Sequence, residues 1–279
     1  MTTSEMQLNL SPEAADPEAQ AWLARRRQRL WRARMLPALG VAGLLVAWWA
    51  IVAGFHVKPF IAPSPLLVLQ TLASKSDLLM QNLVPTAIEA CGGFLLGNLA
   101  AILLATVFVH NKTLQDIFYP VAVMINSIPV VAKAPILVLI MGNGLEPKIT
   151  IAAIVCFFPT LVNMVRGLQA VNPQAMELMQ ILSASKREIF FKLRIYASLP
   201  YLFSALRIAA SMSVIGAVVG EWIGATEGIG AMIIQATYSF DSALLYTAII
   251  MSAVLSGLFF LVIAVLERWL VRWQPESAH

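Results

Sequence analysis

Six stretches of mostly apolar residues, near 35–55, 85–109, 118–141, 149–168, 200–224 and 243–266, leave this chain few ways to fold. A helix needs about 20 apolar residues to cross the hydrocarbon of a bilayer, and each stretch meets that length. In lipid, backbone polar groups must be satisfied within the protein, which leaves helices as the natural solution for such runs. Of the 279 residues, 59% are hydrophobic and 12% charged, against roughly 25% charged in soluble domains. The expected fold is an all-α integral membrane protein with about six transmembrane helices. Its expected organisation is an N-terminal segment 1–34, partly disordered, a membrane domain 35–273 and a short tail 274–279. A cleaved signal peptide is disfavoured, because the first apolar run ends in WWAIVAGF rather than at a small-residue cleavage site.

Cations outside the spans set the orientation. With both termini in the cytoplasm, fourteen lie on the inner side: six arginines between 24 and 34, Lys112, Arg166, the four from Lys186 to Arg194, Arg268 and Arg272. Only Lys58, Lys75 and Lys148 then lie outside. Five or seven spans would throw one block of cations to the wrong face.

Several spans carry helix breakers. Pro120, Pro129 and Pro135 fall in the third and Pro159 in the fourth. Proline removes a backbone donor and kinks a helix, so these helices are candidate cavity walls. Ionisable residues within spans are functional candidates by default. Lys133 stands between Pro129 and Pro135, where a cavity-facing ammonium would attract an anionic substrate; snorkelling, or pairing with Glu221 or Glu89, is the alternative. Arg207 is expected to anchor an inner gate or pair locally. Glu221 and Trp222 are expected near an outer gate. Cys91 and Cys156 both lie in apolar runs and read as packing residues. His56, His110 and His279 are too scattered for a metal site.

Between the fourth and fifth spans, ELMQILSASKREIFFKLRIYASLP at 177–200 is the most charged stretch in the last two-thirds of the chain. Pro173 reads as a helix entry and Pro200 as the start of the next span. Met176, Met179, Leu182, Ile189, Leu193 and Ile195 recur at about helical spacing, and Ser183-Ala184-Ser185 interrupts them with small side chains. The pattern predicts two short helices on the inner face, hinged at 183–185. From the residues alone, a partner-docking segment and an amphipathic helix resting on anionic lipid fit equally well.

This stretch resembles the "EAA" loop of binding-protein-dependent ABC importer permeases. Glu177 matches the acid, Ser183 stands where glycine is usual, Ala184-Ser185 match the following Ala-Ser, and Leu199-Pro200 match the Leu-Pro ending. Leu178 and Met179 replace a small pair, and Tyr196 sits where many relatives have proline. The likeness extends from about 60 to 273. APSP at 62–65, SIPVVAKAPILVLIMGNG at 127–144, PYLFSALRIAA at 200–210, GEWIGATEGIGAMI at 220–233 and LERWLVRW at 266–273 are each similar to family segments, in the family's order. The subgroup suggested transports taurine, sulfonates, nitrate or thiamine-pyrimidine precursors, with wording that leans toward the pyrimidine and flavin-like branch.

The resemblance implies a type I importer permease core in the bacterial inner membrane, with a cytoplasmic coupling helix over 174–196. It implies a homodimer, two ATP-binding subunits that carry ATP and Mg, no cofactor on this chain, and an extracytoplasmic solute-binding protein. The docking residues expected are Glu177, Ser183, Ala184, Ser185, Lys186 and Arg187. Pro129, Lys133, Pro135, Glu221 and Trp222 are expected along the translocation pathway. No G-x-x-x-x-G-K-[ST] occurs, so this chain is expected to be a translocation subunit and not an enzyme. An intramembrane enzyme would show paired acids or a Gly-x-Ser-x-Gly turn within its spans. A secondary transporter or channel would more often show internal repeats. Neither feature is found.

Overall fold

A computed structural model describes residues 17–271, and the expected tail 274–279 and the first part of the N-terminal segment lie outside them. The chain divides after Lys58 into two units. In the first, α1 (Pro17–Gly54) is one helix, and its portion Met35–Gly54 is apolar and long enough to cross a bilayer. It begins well before the first apolar run and continues through the arginine-rich segment.

The second unit opens with α2 (Pro65–Ser74), whose start combines proline in the first turn with a Ser64 hydroxyl that accepts the Leu67 N–H. Proline suits that position because its missing N–H has no helical partner there. Then come α3 (Ser76–His110), α4 (Lys112–Ser127), α5 (Val130–Met141) and α6 (Glu146–Gln169). The short α7 (Pro173–Ile181) and α8 (Lys186–Ile189) follow, and a π-helical turn, Phe190–Arg194, joins α8 to α9 (Ile195–Glu221). The chain closes with α10 (Ile229–Tyr238) and α11 (Ser242–Leu270).

Helices α3, α6 and α9 form the centre, and small residues let them approach closely. Gly93 and Gly97 of α3 face Ala152 and Ala153 of α6, while Gly216 and Gly220 of α9 face Ala152 and Lys148. A Cβ on Gly216 would come 2.6 Å from the Ala152 Cα, closer than real side chains approach. Glycine pairs four apart are the membrane solution to close packing, because no hydrophobic force draws helices together in lipid. At one end, Phe108 packs with Leu161, Val165 and Leu168. At the other, Leu79 packs with Ile229, Met232 and Leu244.

These contacts also fix directions. Gly93 meets Ala152 early in α6, and Phe108 joins Met164, Val165 and Leu168 late in it, so α3 and α6 run parallel. Gly220 meets Lys148 and Gly167 meets Ser198, so α9 runs antiparallel to both. The α4–α5 pair therefore leaves the far end of α3 and returns the chain to the near end of α6. Although bent by 97° at its break, it traverses the bundle as a broken crossing. With the five unbroken apolar helices it makes six.

The structure corrects two local expectations. The third span is not one kinked helix: Ile128 is extended and Pro129 caps a new helix, while Pro120 and Pro135 are accommodated inside α4 and α5. Nor does Pro200 begin the fifth span, since the helix runs through it from Ile195.

Candidate functional site

The segment 173–194 is built as a helix, a sharp turn and a second helix start. Asn172 caps α7 by accepting the Gln174 N–H, with Pro173 in the first turn. The helix ends in a pair of bonds, Ser183 N–H to Gln180 O at 2.9 Å and Ala184 N–H to Met179 O at 2.9 Å. This closing pattern needs a left-handed residue, and Ser183 supplies it with φ +52°. Ser185 then starts α8 with a capping box: its hydroxyl accepts the Glu188 N–H, and the Glu188 carboxylate accepts the Ser185 N–H at 3.0 Å. Glu188 also holds Lys192 one turn on, at 3.1 Å.

The predicted docking residues thus share one continuous segment. Glu177, Ser183, Ser185, Lys186 and Arg187 are exposed, and Ala184 is half-buried at the turn. Arg187 lies over the Phe191 ring, 5.9 Å from its centroid. Beside them the structure adds Leu178, Ile181 and Leu182, which are 56%, 79% and 66% exposed. Of these, only Leu182 belongs to the apolar stripe read from the sequence. The segment is tied to the bundle by Arg194, whose Nη1 donates to Leu168 O at 3.0 Å, and by Phe190, whose ring lies tilted 4.8 Å from the His110 ring.

Glu221 is 1% exposed and sits in a buried polar cluster at the other end of the bundle. Its carboxylate accepts the Thr86 hydroxyl at 2.6 Å and the Gly230 N–H at 2.5 Å. Thr86 in turn accepts the Ile229 N–H at 2.8 Å, and Asn82 accepts the Gly228 N–H at 2.9 Å. Gly228, at φ +111°, has no room for a side chain against Glu221. The cluster therefore fastens the start of α10 to α3 and α9. Next to it the buried Glu89 pairs with Lys148 of α6 at 3.0 Å. That contact is an ion pair between a buried carboxylate and a largely buried ammonium, and the Glu89 carboxyl also lies against that of Glu221. Trp222, just past the end of α9, is 41% exposed.

These pairings leave Lys133 alone. Glu89 and Glu221, its two candidate partners from sequence, are occupied elsewhere, and among the described residues none pairs with its ammonium. It is half-buried on the first turn of α5, just after Pro129 and two residues before Pro135. Arg207 pairs with Glu267 of α11, 60 residues further along the chain.

Two cavities complete the picture. One, of about 220 Å³, lies between α3, α4 and α6 and is walled by Phe118, Phe157 and Phe158, with Asn126 among its few polar groups. The other, of about 230 Å³, lies between the end of α3 and the α7–α8 segment.

Comparison with known proteins finds a family match over residues 97–274, to the binding-protein-dependent transport system inner membrane component. The formylaminopyrimidine transport permease protein ThiX of Halalkalibacterium halodurans is 34% identical over 235 residues, covering 84% of this chain and 94% of that protein. The riboflavin transport system permease protein RibX of Chloroflexus aurantiacus is 34% identical over 246 residues, covering 86% and 92%. The taurine transport system permease protein TauC of Escherichia coli is 24% identical over 243 residues, covering 85% and 88%.

Proposed function

Because the chain belongs to the family of inner membrane components of binding-protein-dependent transport systems, we propose that it works as one of two identical permease copies, each docking a separate ATPase through α7 and α8. The chain is a transmembrane permease subunit of an ABC importer. In the proposed assembly ATP and Mg reside on the partner chains, a solute-binding protein delivers substrate from outside, and both termini face the cytoplasm.

The observation that carries the docking reading is the exposed apolar ridge Leu178, Ile181 and Leu182, set beside a tightly turned Ser183-Ala184-Ser185. Large apolar side chains on a short helix, ringed by Glu177, Lys186 and Arg187, have the make-up of an interface core with a charged rim. Nucleotide-driven closure of two ATPases would draw two such segments together. Arg194 and Phe190 would then pass the movement to α6 and α3, shifting the population between two packings of the bundle. Replacing Ile181 and Leu182 together by Ser should weaken ATPase retention by roughly 30-fold, as expected for losing about 2 kcal/mol at an interface hot spot. Co-purification from membranes measures this, and undiminished retention of the ATPase would refute the docking role.

For the substrate, the relatives at 34% identity bear the names of formylaminopyrimidine and riboflavin transporters. A pyrimidine- or flavin-type compound is the reading these identities support best, within a wider range of small polar solutes that includes sulfonates and nitrate-like anions. Lys133, unpaired between Pro129 and Pro135, is the residue proposed to meet the solute. Pro129 and Pro135 would shape the pathway there, with Trp222 at its extracytoplasmic end. Glu221 is assigned a different part, holding α10 in place.

A further inference from the structure

The cavity between the end of α3 and the α7–α8 segment differs from the rest of the apolar surface in its chemistry. Its walls include Val109 and His110 from α3, Met176 from α7, Lys186 from α8, and Phe190 and Arg194 from the π-helical turn. Val109, Met176 and Phe190 make much of the wall apolar, Lys186 and Arg194 add two positive charges, and no acid is among the lining residues. The nearest carboxylate on the same element, Glu188, is engaged by Ser185 and Lys192. Arg194 gives only its Nη1 to Leu168 O, among the bonds described, so its guanidinium keeps donors for a ligand. At about 230 Å³, the cavity has room for roughly eight waters at about 30 Å³ each, enough for a phosphodiester with its glycerol.

A second feature starts from the same place. Along α3, Leu99, Leu103 and Val107 recur every four residues and lead toward His110 on one face. All three are exposed, at 58%, 60% and 44%. From Leu99 to His110 the stripe is about 16 Å long, at a rise of 1.5 Å per residue. A free anion would need the charged pocket and make no use of this stripe. An acyl chain attached to that anion would use both.

We infer that this cavity binds the phosphate headgroup of an anionic phospholipid, with one acyl chain laid along Leu99, Leu103 and Val107. Basic pockets between transmembrane helices commonly hold such headgroups. The site lies where α3 leaves its apolar crossing, so the headgroup and the pocket are at the same depth. A lipid here would wedge between α3 and the α7–α8 segment, making the stiffness of that joint depend on the composition of the leaflet. The inference needs only that the chain crosses the membrane; Lys186 also stands on the rim of the proposed docking face, so the two roles are tested apart.

The test uses the full-length permease without its ATPase, so that a failure of docking cannot be mistaken for a failure of lipid binding. The protein is delipidated in mild detergent and mixed with phosphatidylglycerol or phosphatidylcholine, and bound lipid is counted by native mass spectrometry. The wild type should retain phosphatidylglycerol and release phosphatidylcholine. Lys186→Gln combined with Arg194→Gln should reduce phosphatidylglycerol retention by about tenfold or more, at roughly 1 kcal/mol per cation removed. Lys186→Gln alone, at an exposed position that cannot disturb folding, should reduce it several-fold. Lys112→Gln, a cation paired with Asp116 outside the cavity, should leave it unchanged. Equal retention by wild type and both cavity variants would overturn the site. So would displacement of the lipid by inorganic phosphate at millimolar concentration, which would reassign the cavity to a free anion.

Discussion

At the scale of single residues, Ser183 shows how a family pattern and a backbone angle describe the same fact. Its φ of +52° costs an ordinary L-residue roughly 1–2 kcal/mol, which glycine avoids. That is the physical content of the glycine usual at this place, and the sequence showed it through the neighbouring Ala184 and Ser185. Lys133 was also legible as an ionisable residue within a span. That it stands unpaired was not legible, because its candidate partners are engaged by residues far along the chain. In the sequence Lys148 reads as an exterior cation, and nothing near it points to Glu89. If Lys133 meets an anionic or electron-rich solute, Lys133→Met should lower transport by tenfold or more, about the 1.4 kcal/mol of one lost charged contact. Basal ATP hydrolysis by the assembled complex should stay as it was. Uptake of labelled substrate into proteoliposomes measures the first, and unchanged uptake would remove Lys133 from the pathway.

At the scale of elements, starts were easier to read than stops. Pro173 marked a helix entry because a first-turn proline sacrifices no helical bond. Three prolines in the third span looked alike in the sequence, yet only Pro129 breaks the helix. The other two lie exposed inside α4 and α5, and no local pattern separates them from Pro129. The Gly-x-x-x-Gly pairs at 93–97 and 216–220 are the local signal in the sequence for the contacts of α6. The α11 start offers a test of an element's cap. Asp241 accepts the Leu244 N–H and pairs with Lys75 at 2.9 Å, joining α11 to the loop between α2 and α3. Burial pushes its carboxyl up, but the Lys75 ammonium and the Leu244 N–H outweigh this and hold it below the usual range. A depressed carboxylate contributes stability that is complete above the unfolded value, about 3.9, and is lost as pH falls through the folded value. The Tm of the detergent-solubilised protein should therefore drop below about pH 4, and Asp241→Asn should flatten that part of the profile. An identical acid profile in the variant would show that the cap carries no such linkage.

For the whole molecule, the six crossings follow from direction rather than from hydropathy alone, since the bent α4–α5 pair must link opposite ends of a parallel α3 and α6. The number was legible in the placement of cations, a global property that survives errors of several residues in each boundary. The parallel pairing was not, because it depends on contacts such as Gly93 with Ala152, far apart along the chain. In a background lacking Cys91 and Cys156, Thr226→Cys should react with an impermeant thiol reagent from outside intact cells, and Lys186→Cys only after the cytoplasmic face is opened. The reverse pattern would invert the proposed orientation.

The parallel arrangement has a consequence for synthesis. Adjacent antiparallel helices can pair as soon as the second emerges, but Glu89 must wait for Lys148, 59 residues later, with a whole crossing made in between. At about 5–20 residues per second the interval is roughly 3–12 s. Throughout it a carboxylate worth about 2.5–3.5 kcal/mol against insertion sits in a nascent helix with no partner of its own. Completion of the bundle is thus a timed event. The arrival of α6 supplies the acid of α3 with its cation, and the rate of synthesis sets how long that takes.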